Sequence, residues 1–383
     1  MITDETSGVW DVDDVYKKVN AQRWRPNGIG LFSWGTNSYG QLGQNTTTQF
    51  SSPVQIPGTS WSSISVGYSH SLVTKTDGTL WAWGRNQFGQ LGQSNRTNRS
   101  SPIQIPGTSW SSIESGQSHS LATKTDNTLW AWGRNDDGRL GLNNTTNVSS
   151  PVQIPGTSWS SISGGANYTL ATKTDGTLWS WGVNSLGALG QNNRTYASSP
   201  VQIPGTSWSS IESGSLHSLA TKTDNTLWTW GRNEYGQLGQ NNRTYFSSPV
   251  QIPGTSWSSI SGGAGANHSL ATKTDNTLWS WGLNSNGAGT GVGQLGQNNT
   301  THRSSPIQIP GTSWSSISGS NRHSLATKTD GTLWAWGGNT DGRLGLNSTS
   351  YGISSPVQIP GTSWSSISAG EGHSLATQNV YTS

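Results

Sequence analysis

Short stretches in which hydrophobic and polar residues alternate recur along the whole chain, separated by turn residues such as Pro-Gly, single Gly and Asp-Gly. Alternation over about four to eight residues between such turns is typical of β-strands with one buried face. In the stretch Leu80-Trp81-Ala82-Trp83, the two tryptophans are expected on one face of a strand, with leucine and alanine on the other. The first complete unit of this pattern predicts four strands, at residues 54–56, 62–66, 71–75 and 79–83.

The four-strand unit repeats at a nearly constant interval. The segment SSPxQIPGTSWSSI, where x is Val or Ile, recurs seven times, at spacings of 49 residues four times and then 57 and 50, and the segment LWxWG follows it in six units. The seventh unit ends as SLATQNVYTS without LWxWG, whereas a matching stretch, LFSWG, stands at residues 31–35. The chain therefore carries six whole units and one unit divided between its two ends.

Repeats of this length that are rich in short strands are typical of β-propellers, with one four-stranded blade per repeat. An open ring leaves unpaired strand edges, and pairing a strand near residues 31–34 with strands near residues 363–378 removes them. A solenoid would instead need polar capping units at its ends, and the sequence shows none. We therefore expect an all-β fold over residues 29–383, a seven-bladed β-propeller of four-stranded blades, closed by pairing the N- and C-terminal strands in one split blade.

Composition narrows the class of protein. Only 10% of the residues are charged and 30% are hydrophobic, but there are 50 glycines and 22 tryptophans, which is the opposite of a disordered chain. Because aliphatic residues are sparse, we expect tryptophan to build the core. No stretch is apolar enough to span a membrane, the first residues lack a secretory signal pattern, and the absence of cysteine excludes thiolate chemistry. With a net charge of only +3, we expect neither a membrane nor a nucleic acid as partner.

The repeated units resemble a known family. Stretches such as LWAWGRNQFGQLGQ, followed by a proline-containing strand and by Gly-x-x-His-Ser-Leu-Ala-Thr, resemble the repeats of the regulator of chromosome condensation over residues 29–382. The resemblance implies a seven-bladed propeller with a split closing blade. The family includes a GTPase exchange factor, a plant ultraviolet receptor and a secreted β-lactamase inhibitor, so the resemblance leaves the function open. The receptor's Trp-Arg-His-Thr signature is replaced here by sequences such as Tyr68-Ser69-His70-Ser71, and light sensing is not expected.

Residues 1–28 precede the repeats and have a different pattern. Acidic residues followed by Lys17 and Lys18, with apolar residues at helical spacing, predict a short helix. The string SGVWDVDDVYKKVNAQRW resembles leaders of structural and tail-appendage proteins of tailed bacteriophages. We therefore expect a docking segment that joins other virion proteins, the alternative being a helix that only covers one end of the ring. The expected contact residues of this segment are Trp10, Val12, Val15, Tyr16, Val19 and Trp24.

The units differ from one another mainly in two of their four connections. If the strands alternate in direction, the PGTSW and KTDGT (or KTDNT) turns lie on one face of the ring, and they are nearly identical in every unit. The Gly-x-x-His turn and the long loop from WGxN to SSP lie on the opposite face and carry almost all substitutions and insertions, near Ala264, around residues 287–293 and near Gly352. Variation confined to one face of a repeat protein favours a binding surface, the alternative being neutral drift.

The side chains of these variable loops also favour binding. They include ten of the thirteen tyrosines and phenylalanines and eleven of the thirteen arginines, which with five acidic residues leave a formal charge of +6. Tyrosine and arginine are enriched at protein interfaces, so we expect this face to bind a protein or an acidic glycan. The expected contact residues are Tyr39, Tyr68, Arg85, Phe88, Arg134, Asp136, Asp137, Arg139, Tyr168, Leu186, Leu216, Arg232, Glu234, Tyr235, Arg322 and Arg343.

Candidate catalytic and metal-binding patterns are weak. Metal ligands must converge on one ion, whereas the histidines that recur in the units occupy equivalent positions around a ring, and we expect them to have structural hydrogen-bonding roles. The GxGxxG match at residues 291–296 lies in an inserted loop with no helix after it. We expect a non-enzymatic protein without cofactor or metal. The recurring residues are His70, His119, His217, His268, His323 and His373, with Tyr168 in the remaining unit.

Two functional interpretations follow. The leader and the near-identity of the repeats favour a phage virion appendage, fibre or decoration component, located in the extracellular particle, that engages its partner through the variable loops. The alternative is a secreted or cytoplasmic protein-interaction module, such as an inhibitor, an adhesin or a regulator of a GTPase or of chromatin. The sequence leaves the ligand, the oligomeric state and the host organism open.

Overall fold

Turn residues with unusual backbone angles separate the strands in the computed structural model, which describes residues 26–263, 265–285 and 292–381. Gly78 and Asn127 stand at equivalent turns of two units and both have positive φ, 76° and 60°. Glycine adopts this left-handed region freely, and asparagine tolerates it better than most residues. This requirement explains why the turn reads KTDGT or KTDNT in each complete unit.

The described residues form seven four-stranded antiparallel sheets, which confirms the predicted all-β seven-bladed propeller. Blade 1 is β3 (Trp61–Val66), β4 (His70–Lys75), β5 (Leu80–Gly84) and β6 (Arg99–Ile105). Blade 2 is β7 (Trp110–Ser115), β8 (His119–Lys124), β9 (Leu129–Gly133) and β10 (Val148–Ile154). Blade 3 is β11 (Trp159–Gly164), β12 (Tyr168–Lys173), β13 (Leu178–Gly182) and β14 (Ala197–Ile203).

The remaining complete blades follow the same order. Blade 4 is β15 (Trp208–Ser213), β16 (His217–Lys222), β17 (Leu227–Gly231) and β18 (Phe246–Ile252). Blade 5 is β19 (Trp257–Ser261), β20 (His268–Lys273), β21 (Leu278–Gly282) and β22 (Arg303–Ile309). Blade 6 is β23 (Trp314–Gly319), β24 (His323–Lys328), β25 (Leu333–Gly338) and β26 (Gly352–Ile359). The described residues contain no helix long and apolar enough to cross a membrane.

Blade 7 is assembled from both ends of the chain. Its sheet order is β2 (Phe50–Ile56), β1 (Pro26–Gly35), β28 (His373–Tyr381) and β27 (Trp364–Ala369). β1 and β28 pair in antiparallel register, with Leu31 opposite Thr377 and Trp34 opposite Ser374. The predicted closure of the ring by the N- and C-terminal strands is therefore confirmed.

The blades are offset by one strand from the sequence units. The proline-containing strand that begins each unit, such as β6, pairs with the LWxWG strand of the preceding unit. As a result, the N-terminal end supplies two strands of the split blade, β1 and β2, where the sequence predicted one. Each blade thus ends on an outer edge strand that carries a proline, and a proline on an edge strand reduces pairing with other chains.

Tryptophan packs between neighbouring blades, as the composition predicted. One core cluster joins Leu72 and Leu80 of blade 1 to Trp110 and Trp132 of blade 2, and all four side chains are buried. The rings of Trp110 and Trp132 lie 6.2 Å apart. Six further clusters of the same kind occupy the other described blade junctions. The interblade tryptophans therefore hold the ring together.

Candidate protein-interaction face

Antiparallel pairing determines which loops share a face. In blade 1, β3 pairs with β4, β4 with β5, and β5 with β6, each time in antiparallel orientation. The β3–β4 turn at residues 67–69 and the β5–β6 loop at residues 85–98 therefore lie at one end of the blade, and the PGTSW and KTDGT turns lie at the other. We call the first end the varied face and the second the constant face. The predicted separation of variable and invariant loops is confirmed for the described residues.

An asparagine holds each long loop of the varied face in one shape. The side-chain amide of Asn86 donates to the carbonyls of Asn95 and Thr97, both at 3.0 Å, and its Oδ1 accepts from the amide of Leu91 at 2.9 Å. The asparagine of WGxN accepts the same amide hydrogen bond in all seven loops. The loops thus vary in sequence at their tips while the same asparagine hydrogen bond holds each of them.

A ring of hydrogen bonds passes from blade to blade beneath these loops. His70 of blade 1 places Nε2 3.0 Å from the hydroxyl of Ser120 in blade 2, and that hydroxyl donates to the carbonyl of Gln90 at 2.8 Å. The same carbonyl accepts from the indole of Trp132. Because the serine hydrogen is used by the carbonyl, the imidazole Nε2 must carry the proton and donate it. Burial lowers the pKa of His70 to about 4, so the ring is neutral.

The other blade junctions have equivalent contacts, which confirms the expected structural role of the recurring histidines. In blade 3, the buried phenol of Tyr168 replaces imidazole; its hydroxyl donates to the carbonyl of His217 and lies 2.9 Å from the hydroxyl of Ser218. No group of three or more candidate ligands among the described histidine, aspartate and glutamate residues could hold a metal ion. The remaining pairs are His119–Thr169, His217–Ser269, His268–Ser324, His323–Ser374 and His373–Ser71, at 2.9–3.1 Å.

Three expected contact residues are buried, and their assignment as partner-facing side chains is wrong. Tyr168 and Arg139 have no exposed surface, and Arg343 is 5% exposed. Tyr168 belongs to the interblade ring described above. Arg139 donates to the carbonyl of Ala166 at 3.0 Å, and Arg343 donates to that of Glu371 at 2.7 Å. Their long side chains support neighbouring loops from below, a role that residue type alone did not distinguish from a surface role.

The other expected contact residues are on the varied face with different degrees of exposure. Leu186 and Leu216 lie half-buried in loops of blades 3 and 4. Tyr39, Asp136, Glu234 and Arg322 are exposed, and Tyr68, Arg85, Phe88, Arg134, Asp137, Arg232 and Tyr235 are half-buried. The six residues expected to dock the leader, between Trp10 and Trp24, lie outside the described residues.

Ion pairs neutralise four of the five acidic residues on the varied face. Asp136 pairs with Arg134, Asp137 with Arg139, Glu234 with Arg232 and Asp341 with Arg343. Each pair lies within a single loop, two residues apart. The remaining arginines of this face form no ion pair with another described residue, so they carry its positive charge. These arginines are Arg85, Arg96, Arg99, Arg194, Arg243, Arg303 and Arg322.

Aromatic and guanidinium groups stack across blade boundaries on this face. The guanidinium of Arg85 in blade 1 lies 4.9 Å from the ring centre of Tyr39 in blade 7. That of Arg134 in blade 2 lies 4.9 Å from the ring centre of Phe88 in blade 1. Stacking of this kind orders long side chains before a partner arrives, which reduces the entropy lost on binding.

A feature that sequence analysis missed lies at the ring centre. A cavity of about 130 Å³ is lined by the innermost strands of all seven blades. Glu114 and Glu212 stand there at a position that is serine in the other five blades, and burial raises the pKa of Glu114 to about 7. Burial also raises the pKa of Glu212, and the charge of Glu114 adds to this effect. The sequence signal for this feature was the segment SIES in two units, where the other five units have serine in place of the glutamate.

Comparison with known protein families agrees with this architecture. Residues 28–293 match the model of the RCC1-like domain family. Residues 314–343 and 330–377 match models of the regulator of chromosome condensation (RCC1) repeat.

Individual relatives share the fold more than the sequence. A 93-residue segment, 24% of this chain, is 32% identical to the X-linked retinitis pigmentosa GTPase regulator homolog of Caenorhabditis elegans and spans only 6% of that protein. The structure of Prp20p from Saccharomyces cerevisiae, described with its binding to Gsp1p and histones, has a TM-score of 0.82 at 22% identity, covering 94% of this chain and 93% of that chain. Human WBSCR16 has a TM-score of 0.80 at 20% identity, covering 92% and 99%. At these identities the two structures show a common fold.

Proposed function

The chain belongs to the RCC1-like domain family, and we propose that it is a protein-interaction module that binds a protein partner through its varied face. One observation carries the proposal: sequence variation, tyrosine and arginine are concentrated at one end of a ring whose other end is nearly invariant.

The varied face has the properties of a protein-binding surface. Tyr39, exposed over 37% of its surface, and the half-buried Phe88 and Tyr235 provide aromatic contact area at low entropic cost. Arg85, Arg134 and Arg232 lie against these rings at 4.9–5.4 Å. Aromatic residues and arginine dominate the binding energy of many protein interfaces.

The named relatives guide the choice of partner. Prp20p is described as binding Gsp1p and histones, and the nematode relative is named as a homolog of a GTPase regulator. These descriptions support a small GTPase as the first purified partner to test with this chain. The virion role stays a prediction, because residues 1–25, on which most of it rests, lie outside the described residues.

The experiment compares two triple variants of the full chain. Tyr39→Ala, Phe88→Ala and Tyr235→Ala truncate the varied face, and Thr108→Ala, Thr157→Ala and Thr206→Ala alter exposed threonines of the constant face as a control. Each protein is immobilised, partners are captured from cells of its source, and bound proteins are quantified by mass spectrometry. Binding and nucleotide release are also measured with a purified small GTPase.

We expect the varied-face variant to lose its captured partner by about tenfold or more, since truncating one interface hot spot typically costs over 1 kcal/mol. The constant-face variant should retain it, with thermal unfolding of both variants close to that of the parent. Loss of the partner in the constant-face variant alone would overturn the proposal. Nucleotide release from the GTPase, abolished by the varied-face variant, would identify the partner class.

A further inference from the structure

A cavity of about 200 Å³ on the varied face lies where the two ends of the chain meet. Tyr39 lines it from the β1–β2 loop, Tyr68 from the β3–β4 turn and Glu371 from the β27–β28 turn. Asp341 and Arg343 line it from the β25–β26 loop of blade 6. Loops of three blades therefore enclose one pocket, which exists only when the ring is closed.

Glu371 is the acidic residue of this face that has no ion pair with a described residue. Its Oε1 accepts a hydrogen bond from the side-chain amide of Asn321 at 3.3 Å. Its Oε2 is out of contact with solvent and has no hydrogen-bond partner among the described residues. Asp341 is neutralised by Arg343, whose guanidinium also donates to the backbone carbonyl of Glu371. The pocket thus contains one carboxylate that has no ion pair and one oxygen without a hydrogen-bond donor among the described residues.

Two tyrosines line the pocket beside this carboxylate. A guanidinium already lies against one of these rings, that of Arg85 at 4.9 Å from the centre of Tyr39, which shows that this environment accepts cation–π contact. Tyr68 lines the same pocket and is half-buried. Aromatic faces together with a carboxylate recognise ammonium and guanidinium groups through electrostatic attraction and charge-assisted hydrogen bonds.

We propose that this pocket binds an ammonium or guanidinium group, supplied by a lysine or arginine side chain of the protein partner. The inference that the cation belongs to a side chain of a protein partner rests on the proposed function. The affinity of the pocket for a cation does not rest on the proposed function. The rest of the varied face is rich in unpaired arginine and repels basic groups. Attraction confined to this pocket would therefore fix how the partner is oriented on the ring.

The pH dependence of binding provides a readout that a purely structural role would not change. Burial raises the pKa of Glu371 to about 7, so the carboxyl is largely protonated at pH 6 and ionised at pH 8. The charged groups around the pocket are Asp341 and Arg343, which are paired with each other, Arg322 on the turn of blade 6, and Arg85, which lies against the ring of Tyr39. Because only the ionised form attracts a cation, binding should strengthen as the pH rises from 6 to 8.

The test titrates the full chain with methylguanidinium chloride and with n-butylammonium chloride, monitored by backbone amide NMR at constant chloride concentration. Sodium chloride and sodium propionate are the controls for salt and for an anion. The variants are Glu371→Gln and Tyr68→Leu, with Asp175→Asn, an exposed carboxylate of the constant face, as the matched control. Thermal unfolding of each variant checks that the ring is intact.

We expect both cations to cause saturable chemical-shift changes of the amides near Tyr68 and Gly372. Glu371→Gln should bind the cations about tenfold or more weakly, since hydrogen bonds to charged groups are among the strongest in proteins. Asp175→Asn should titrate like the parent, and the parent should bind more weakly at pH 6 than at pH 8. Shifts no larger than those with sodium chloride, or shifts unchanged in Glu371→Gln, would overturn the proposal. If the probes bind but truncation of the varied face leaves partner capture intact, the pocket stands and the proposed function fails.

Discussion

His373 Nε2 lies 3.1 Å from the hydroxyl of Ser71, so a residue near the C-terminal end is hydrogen-bonded to the first complete blade, 302 positions away in sequence. Ser71 in turn donates to the carbonyl of Gln41 at 3.0 Å, and Trp83 donates its indole hydrogen to the same oxygen. The junction between blade 7 and blade 1 therefore uses the same polar contacts as the junctions between continuous blades.

Removing the imidazole at the closing junction should weaken the whole ring. We expect His373→Ala to lower the free energy of unfolding by about 2 kcal/mol or more, because it leaves a cavity and removes a buried hydrogen bond. The measurement is urea unfolding followed by tryptophan fluorescence, with Thr157→Ala on the constant face as the control. A loss below about 0.5 kcal/mol would mean that the contact contributes little.

The ring of buried histidines predicts sensitivity to acid. Burial lowers the pKa of His70 and His268 to about 4, and of His217 and His373 to about 3, from the usual value of 6.5. The unfolded chain binds protons at these sites as the pH falls below 6.5, whereas the folded chain does not, so their contribution to stability is present above pH 6.5 and is lost progressively toward pH 3–4. Each such histidine contributes up to about 1.4 kcal/mol per pH unit within this window.

Unfolding by urea at several pH values between 4 and 8 tests this expectation. The free energy of unfolding should fall from pH 6.5 toward pH 4. Substituting His217 by glutamine, which cannot be protonated in this range, should make the slope less steep even if it lowers stability overall. An unchanged slope would argue against a neutral buried imidazole at position 217.

The two glutamates of the central cavity should make the free energy of unfolding depend on pH in the opposite direction. The pKa of Glu114 rises from 4.5 to about 7 on folding, so the folded chain keeps its proton longer than the unfolded chain does. The contribution of the two glutamates to stability is most favourable below pH 4.5 and is lost as the pH rises toward 7. We expect Glu114→Gln with Glu212→Gln to raise the melting temperature at pH 8 more than at pH 5. Equal effects at the two pH values would show that the carboxyls titrate normally.

Closure by the N-terminal strand can be tested by deletion. Removing residues 1–35 deletes β1, which pairs with both β2 and β28, and leaves those two strands without their central partner. We expect loss of a single cooperative unfolding transition and a tendency to self-associate through the exposed edges. Removing residues 1–25 is the control, since it leaves β1 whole. Calorimetry and size-exclusion chromatography distinguish the two deletions.

The periodicity of the sequence determined the all-β class, the number of blades, the split blade and the separation of a varied from a constant face. These features were predictable because strand alternation, turn residues and a repeat interval are local properties. The offset of one strand between the sequence units and the blades was not predictable, since it depends on which of two possible neighbouring strands the strand containing Pro102 pairs with.

Tertiary structure alone decided which loop residues are available to a partner. Arg139 and Arg232 have the same charge and stand in comparable loops, yet the first is fully buried and the second is half-buried. The pairing of Tyr39 and Glu371 in one pocket depends on loops from opposite ends of the chain. Sequence describes each unit by itself, whereas burial, pKa and pockets arise between units, where distances are set by how seven blades pack into a closed ring.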